Sequence, residues 1–268
     1  MKARISKLLQ NEGVLSFCSS ILAIICGLLI GFIILLVSNP SQAAAGFEAI
    51  LMGSFANGTR GVDMMLYLSV PIIMTGLSVG FAFKTGLFNI GVTGQFTAGA
   101  FAAIWVGVKF TFLPSSIHWL VAVIAAMIAG AIWGMVPGLL KAYLNVNEVI
   151  SSIMMNYIGM YSVNMLVQKY LYDSLKNQSV AVAESANLPK GFFDQIIPDT
   201  KMTIAILIAL LFVILVYIVM NKTTFGYEIK ACGKNKEATR YAGINSKRNI
   251  VLSMVIAGAL AGIGGAML

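Results

Sequence analysis

The sequence predicts an all-α protein, a polytopic transmembrane helical bundle, and three observations carry that reading. Of 268 residues, 59% are hydrophobic and 10% charged, whereas soluble domains are about 25% charged. The charges are clustered, which leaves seven uncharged stretches at 14–37, 64–83, 85–108, 118–140, 149–168, 202–220 and 249–268. At about 1.5 Å per helical residue, such stretches suit a hydrocarbon core roughly 30 Å thick. The apolar runs are also unbroken, whereas barrel strands alternate in polarity over segments of about 10 residues.

Lys2, Arg4 and Lys7 precede the first stretch, and Ala43-Ala44-Ala45 follows it like a signal cleavage site. Its 24 uncharged residues exceed the roughly 7–15 of a signal-peptide core, so it is expected to stay as an anchor. Residues 38–63 are rich in Gly, Ala and Ser, with a short interfacial helix expected at 47–55. Phe83-Lys84-Thr85-Gly86 separates the second and third stretches. It leaves two arrangements open, a tight hairpin, which is favoured, and a broken re-entrant segment. Pro71 and Pro137 fall inside stretches, where each removes a backbone hydrogen bond and is expected to kink its helix. His118 starts the fourth stretch as an interfacial residue. Glu148, beside Asn147, suits the first turn of the fifth helix through the helix dipole.

Residues 173–201, with Pro189, Pro198 and several Asn and Ser, read as an irregular outer lid. In the inner segment 222–248, Lys236-Glu237-Ala238-Thr239-Arg240-Tyr241-Ala242-Gly243 predicts a short helix stopped by Gly243. The final stretch runs uncharged to Leu268 without a polar flank, so the sequence is expected to be a fragment with further spans missing. Gly27/Gly31, Gly76/Gly80, Gly130/Gly134 and Gly258/Gly262 have the four-residue spacing that lets helix backbones approach in lipid. Cys18, Cys26 and Cys232 form no CxxC and no paired framework.

The net charge of +8 is a topology signal rather than a sign of nucleic-acid binding, because orientation follows the placement of Lys and Arg. With the N-terminus cytoplasmic, the inner side carries twelve basic and four acidic residues, and the outer side six of each. The whole excess then lies inside, and the expected location is the cell membrane, multi-pass, with lipid around the spans.

No enzyme signature emerges: there is one His, with no HExxH, GxSxG or GxxxxGK[ST]. No metal site and no cofactor are expected in this chain, and any ATP is bound by a partner. The seven stretches hold no Asp, Glu, Lys or Arg, which weighs against an ion-coupled carrier. Their polar groups are amides and hydroxyls. Asn89, Thr93 and Thr97 are expected on one helix face, with Gln95 nearby, and Ser152 and Asn156 on a face of another. Two readings stay open: these stripes border a pathway for a neutral polar solute, or they hydrogen-bond between helices and hold the bundle together. The short inner helix suits docking of a cytoplasmic partner, with Glu237, Ala238, Tyr241 and Gly243 as candidate contacts. A solvated basic loop is the alternative.

Several blocks occur in one order: Phe81-Ala82-Phe83-Lys84-Thr85-Gly86-Leu87-Phe88-Asn89-Ile90-Gly91, then Gly94-Gln95, then Asn147-Glu148-Val149-Ile150-Ser151-Ser152-Ile153-Met154-Met155-Asn156-Tyr157-Ile158. Arg240-Tyr241-Ala242-Gly243-Ile244 and Gly258-Ala259-Leu260-Ala261-Gly262 follow. Together they resemble the inner-membrane permease family of ABC importers for nucleosides and simple sugars, in particular the nucleoside branch that works with Bmp-type lipoproteins. The resemblance implies one transmembrane permease domain over 1–268, truncated at its C-terminus, with 222–248 as its cytoplasmic coupling loop. It implies alternating access, a cytoplasmic ABC ATPase, a second permease subunit and an extracytoplasmic lipid-anchored binding protein. The alternative cargo is a ribose-like sugar. Many relatives carry an acid where this chain has Thr93, so a role for that acid does not transfer. Relatives also continue for several helices beyond the Gly-Ala-Leu-Ala-Gly block.

Overall fold

The computed structural model describes residues 12–56, 58–176, 178–196 and 200–268; Lys2, Arg4, Lys7, Pro198 and Asp199 lie outside them. Two compact units are present, residues 1–62 and 63–268. In the first, α1 (Glu12–Ser38) is apolar all round and α2 (Ala43–Ala56) covers the helix expected at 47–55. The Phe32 and Phe47 rings join the two at 4.8 Å between centroids. The chain passes into the second unit through α3 (Thr59–Lys84).

The second unit continues with α4 (Val92–Lys109), α5 (Ser115–Leu144), α6 (Glu148–Tyr170), the single turn α7 (Phe193–Ile196), α8 (Ala205–Lys222), α9 (Thr224–Lys234), α10 (Lys236–Tyr241) and α11 (Ser246–Ala266). Its centre is α11, which packs on α5 and α4, while α5 and α4 also pack on each other and on α6. Small residues make this possible. A methyl group on Gly130 would overlap the Gly258 carbonyl, and one on Gly262 would overlap the Ala126 carbonyl. The pairs Gly130/Gly134 and Gly258/Gly262 therefore face each other across one α5–α11 crossing. The pairs Gly27/Gly31 and Gly76/Gly80 have open space where a Cβ would sit, so spacing alone did not mark a crossing. Pro71 and Pro137 lie inside the uninterrupted helices α3 and α5.

Among the described residues, five helices, Phe17–Ser38, Thr59–Lys84, Ser115–Leu144, Ala205–Lys222 and Ser246–Ala266, are long and apolar enough to cross a membrane, which corrects the expected seven. The other two stretches are helical but more polar. The third becomes helical only at Val92, because residues 85–86 form a turn and 87–90 lie outside helix and strand, and α6 carries Ser151, Ser152, Asn156, Asn164 and Gln168. The connection after α3 is thus a turn followed by a non-helical segment, and it extends beyond Phe83–Gly86 to Gly91.

Two polar side chains, Asp63 and His118, are buried. Asp63 accepts hydrogen bonds from the Thr200 hydroxyl, from the Lys201 N–H at 2.9 Å and from the Met202 N–H at 3.3 Å, fastening α3 to the approach of α8. His118, expected at the interface, is 0% exposed. Its Nδ1 lies 2.8 Å from Ser185 Oγ and its Nε2 3.1 Å from the Val106 carbonyl. With the Ala183 N–H donating to the Gly107 carbonyl, the histidine pins part of the irregular segment 173–201 to α4. That segment otherwise holds a two-residue antiparallel pairing, Tyr172–Asp173 with Gln178–Ser179, and a 3-10 turn at Glu184–Ala186.

Residues 222–248 hold the expected short helix α10 and one that was not expected, α9. Thr223 caps α9 by accepting from the Gly226 N–H at 3.1 Å. Asn235 caps α10 by accepting from the Ala238 N–H at 3.0 Å. After α10, Gly243 adopts φ +80, the left-handed conformation that ends helices at little cost for glycine.

Candidate functional site

Helix α4 starts beside Asn156, about two turns into α6, and the amide side chains around that start form one cluster. Asn89 Nδ2 donates to Gln95 Oε1 at 3.2 Å, and Asn89 Oδ1 accepts from Gln95 Nε2 at 3.3 Å and from the Gly91 N–H at 3.0 Å. Asn156 reaches across from α6, donating through Nδ2 to the Ile90 carbonyl at 2.7 Å and accepting through Oδ1 from the Gly94 N–H at 2.8 Å. A helix start leaves its first N–H groups without intrahelical partners, and here two side-chain amides supply partners for the Gly91 and Gly94 N–H groups. Asn89, Gln95 and Ser152 are buried. Ser152 lies against Gly91, and its hydroxyl has no hydrogen-bond partner among the described residues.

The structure therefore brings Asn89, Gln95, Ser152 and Asn156 together and sets Thr93 and Thr97 apart. Asn89 precedes the helix, so it does not share a helix face with Thr93 and Thr97 as the spacing suggested. Thr97 donates to the Thr93 carbonyl at 2.7 Å within α4. The exposed Thr93 lines a crevice of about 790 Å3 between α3 and α4, walled by Thr75, Gly76, Gly80, Phe83 and Phe96. A second cavity, about 670 Å3, lies at the other end of the unit and is lined in part by Tyr67, Trp119, Asn187, Lys190 and Lys201. Sequence reasoning missed it because its polar groups come from four separated segments with no common motif.

At the start of α6, Glu148 pairs with Lys141 at 2.8 Å. Burial opposes its charge, but the Lys141 hydrogen bond and charge outweigh burial and hold the carboxyl below its ordinary range. In the inner segment, Glu237, Ala238 and Gly243 are exposed and Tyr241 is 92% exposed. Among the described residues no three His, Cys, Asp or Glu side chains gather as a metal site.

A bundle of apolar helices that encloses a cluster of amide side chains suits a multi-pass membrane transport protein. Residues 61–268 match the family described as branched-chain amino acid transport system / permease component, and the chain belongs to that family. It is 42% identical over 247 residues to the guanosine ABC transporter permease of Bacillus subtilis, covering 92% of this chain and 70% of that one. It is 36% identical over 252 residues to a nucleoside ABC transporter permease of Lactococcus lactis, covering 91% and 68%. It is 30% identical over 260 residues to a glucose ABC transporter permease of Haloferax volcanii, covering 94% and 67%. No solved structure matches. The chain is a membrane permease, a transport component.

Proposed function

We propose that this chain is the permease subunit of an ABC importer that moves nucleosides, or similar neutral polar solutes, into the cell by alternating access. The observation that carries the reading is the 42% identity to the guanosine permease across 92% of this chain. The chemistry of the spans supports it. Ion-coupled carriers place an ionisable group at mid-membrane, whereas the polar cluster here is built of amides and hydroxyls.

In this reading the chain binds no cofactor and leaves ATP to a cytoplasmic ATPase docked on 222–248. A second permease subunit completes the pathway, and a lipid-anchored binding protein delivers cargo from outside. The N-terminus is cytoplasmic, which the basic excess at the inner segment supports.

Calorimetry on the partner binding protein, together with ATP-dependent uptake by the complete transporter, tests the reading. Guanosine is expected to bind and to be taken up. Binding of a simple sugar instead moves the reading to a sugar permease, which the 30% identity to the glucose permease favours. Uptake that collapses with a protonophore at constant ATP points to an ion-coupled carrier.

A further inference from the structure

Residues 85–91 join two places that transport must connect. Thr85, Leu87, Asn89 and Gly91 in this segment are buried. At one end, Thr85 Oγ1 donates to Ser253 Oγ of α11 at 2.6 Å, and both side chains are buried. Next to it, Gly86 presses on α9: a Cβ there would stand 3.3 Å from the Gly233 Cα and carbonyl oxygen, and one on Gly233 would overlap the Lys84 carbonyl. Helix α9 is tied to α11 by Asn249 Nδ2 donating to Glu228 Oε2 at 2.9 Å, and it runs through Asn235 into α10. At the other end, Asn89 is locked to Gln95, and Asn156 grips Ile90 and Gly94.

The segment between these ends is short, with only residues 87–90 between Gly86 and Gly91. Fastened at both ends and packed between them, it moves with whichever end is displaced, because packed interfaces shift between discrete arrangements rather than deform smoothly.

The geometry points to Thr85, Ser253 and Gly233 as positioning residues that couple the cytoplasmic helices α9 and α10 to the Asn89–Gln95–Asn156 clamp through residues 85–91. This rests on the importer reading, in which an ATPase acts on α10.

The test uses the complete transporter, with its ATPase and binding protein, in proteoliposomes, reading ATP hydrolysis and guanosine uptake on one preparation. Ser253→Ala and Thr85→Val each remove the joint. Each is expected to keep protein amount, ATPase recovery and hydrolysis within about twofold while uptake per ATP falls about tenfold, the scale of a misplaced group in an ordered site. Thr85→Ser, which keeps the hydroxyl, restores coupling. In a cysteine-free background, Thr85→Cys with Ser253→Cys is expected to close a disulfide, given hydroxyl oxygens 2.6 Å apart and an S–S length of about 2.0 Å. That cross-link leaves uptake intact, because the joint stays shut through the cycle. A fall in uptake per ATP smaller than about threefold, a loss that only tracks protein amount, or a cross-link that blocks uptake until reduced overturns the proposal. Absence of ATP-dependent guanosine uptake by the wild type would instead sink the importer reading itself.

Discussion

Asn156 and Gly94 hold two helices in register: the Asn156 Oδ1 accepts from the Gly94 N–H at 2.8 Å while its Nδ2 donates to the Ile90 carbonyl at 2.7 Å. One side chain on α6 thus sets both where the non-helical segment ends and where α4 begins. Both groups it satisfies would otherwise be left unpaired at a cost of about 1–3 kcal/mol each.

The first prediction concerns this clamp. Asn156→Leu, and Asn89→Leu in the pair with Gln95, should lower uptake by more than they lower membrane abundance, by about tenfold where the start of α4 is misplaced. Asn156→Asp keeps the acceptor for Gly94 and loses the donor for Ile90, so an intermediate loss is expected. Uptake normalised to immunoblotted protein is the readout. Equal losses of uptake and abundance would reduce the cluster to packing.

The second prediction separates glycines that share a sequence pattern. Gly130→Ala drives a methyl into the Gly258 carbonyl, whereas Gly27→Ala meets open space. Overpacking costs about 1–3 kcal/mol, and more where backbone obstructs. The purified protein with Gly130→Ala should therefore melt about 5 °C or more below wild type, by the usual relation of free energy to melting temperature. Gly27→Ala and Gly31→Ala should melt near wild type. Similar melting of Gly130→Ala would refute the crossing.

That contrast also shows how far the sequence was legible. Charge clustering located every long helix, because an unbroken apolar run has one stable form in lipid, the helix. Gly243 gave the end of α10, since capping chemistry is local, whereas the Asn235 cap at its start was not read. Partners are not local, and the four Gly pairs look alike until α11 is seen against α5. The break before α4 was hidden because Leu87, Phe88 and Ile90 keep the stretch apolar; Gly86, Gly91 and Gly94 around Asn89 were the available signal. His118 was misread, and the burial of Asp63 went unseen, for the same reason, as their partners Ser185 and Thr200 lie far along the chain.

The third prediction is topological. A reporter fused after Lys236 should read cytoplasmic and one fused near Asn187 extracytoplasmic. Between the two positions lies one helix long and apolar enough to cross a membrane, Ala205–Lys222, so they belong on opposite sides, and the basic excess of 222–248 decides which is inside. Reversed readings would overturn the orientation, and equal readings would remove α8 as a span.

The last prediction is that α10 is the surface on which the ATPase docks. The helix is only Lys236–Tyr241, yet it is fixed at both ends, by Asn235 before it and by Gly243 after it, and Ser246 Oγ donates back to the Lys236 carbonyl at 3.3 Å. A solvated connector needs none of these fastenings, and it does not need Tyr241 standing 92% exposed. Aromatic side chains recur as anchors in protein interfaces, where truncating one costs about 2 kcal/mol or more. Ala238 lies three residues before Tyr241, on the same side of the helix. Ala238→Asp would set an unpaired charge in the partner's groove at about 2–5 kcal/mol. The variant should insert normally and keep its permease partner while losing the ATPase on co-purification. Tyr241→Ala should weaken retention without abolishing it. The fold tolerates both changes, because neither side chain is buried within this chain, so lost retention would report on the partner contact. Full ATPase recovery with normal uptake by Ala238→Asp would return α10 to a solvated loop obeying the orientation rule.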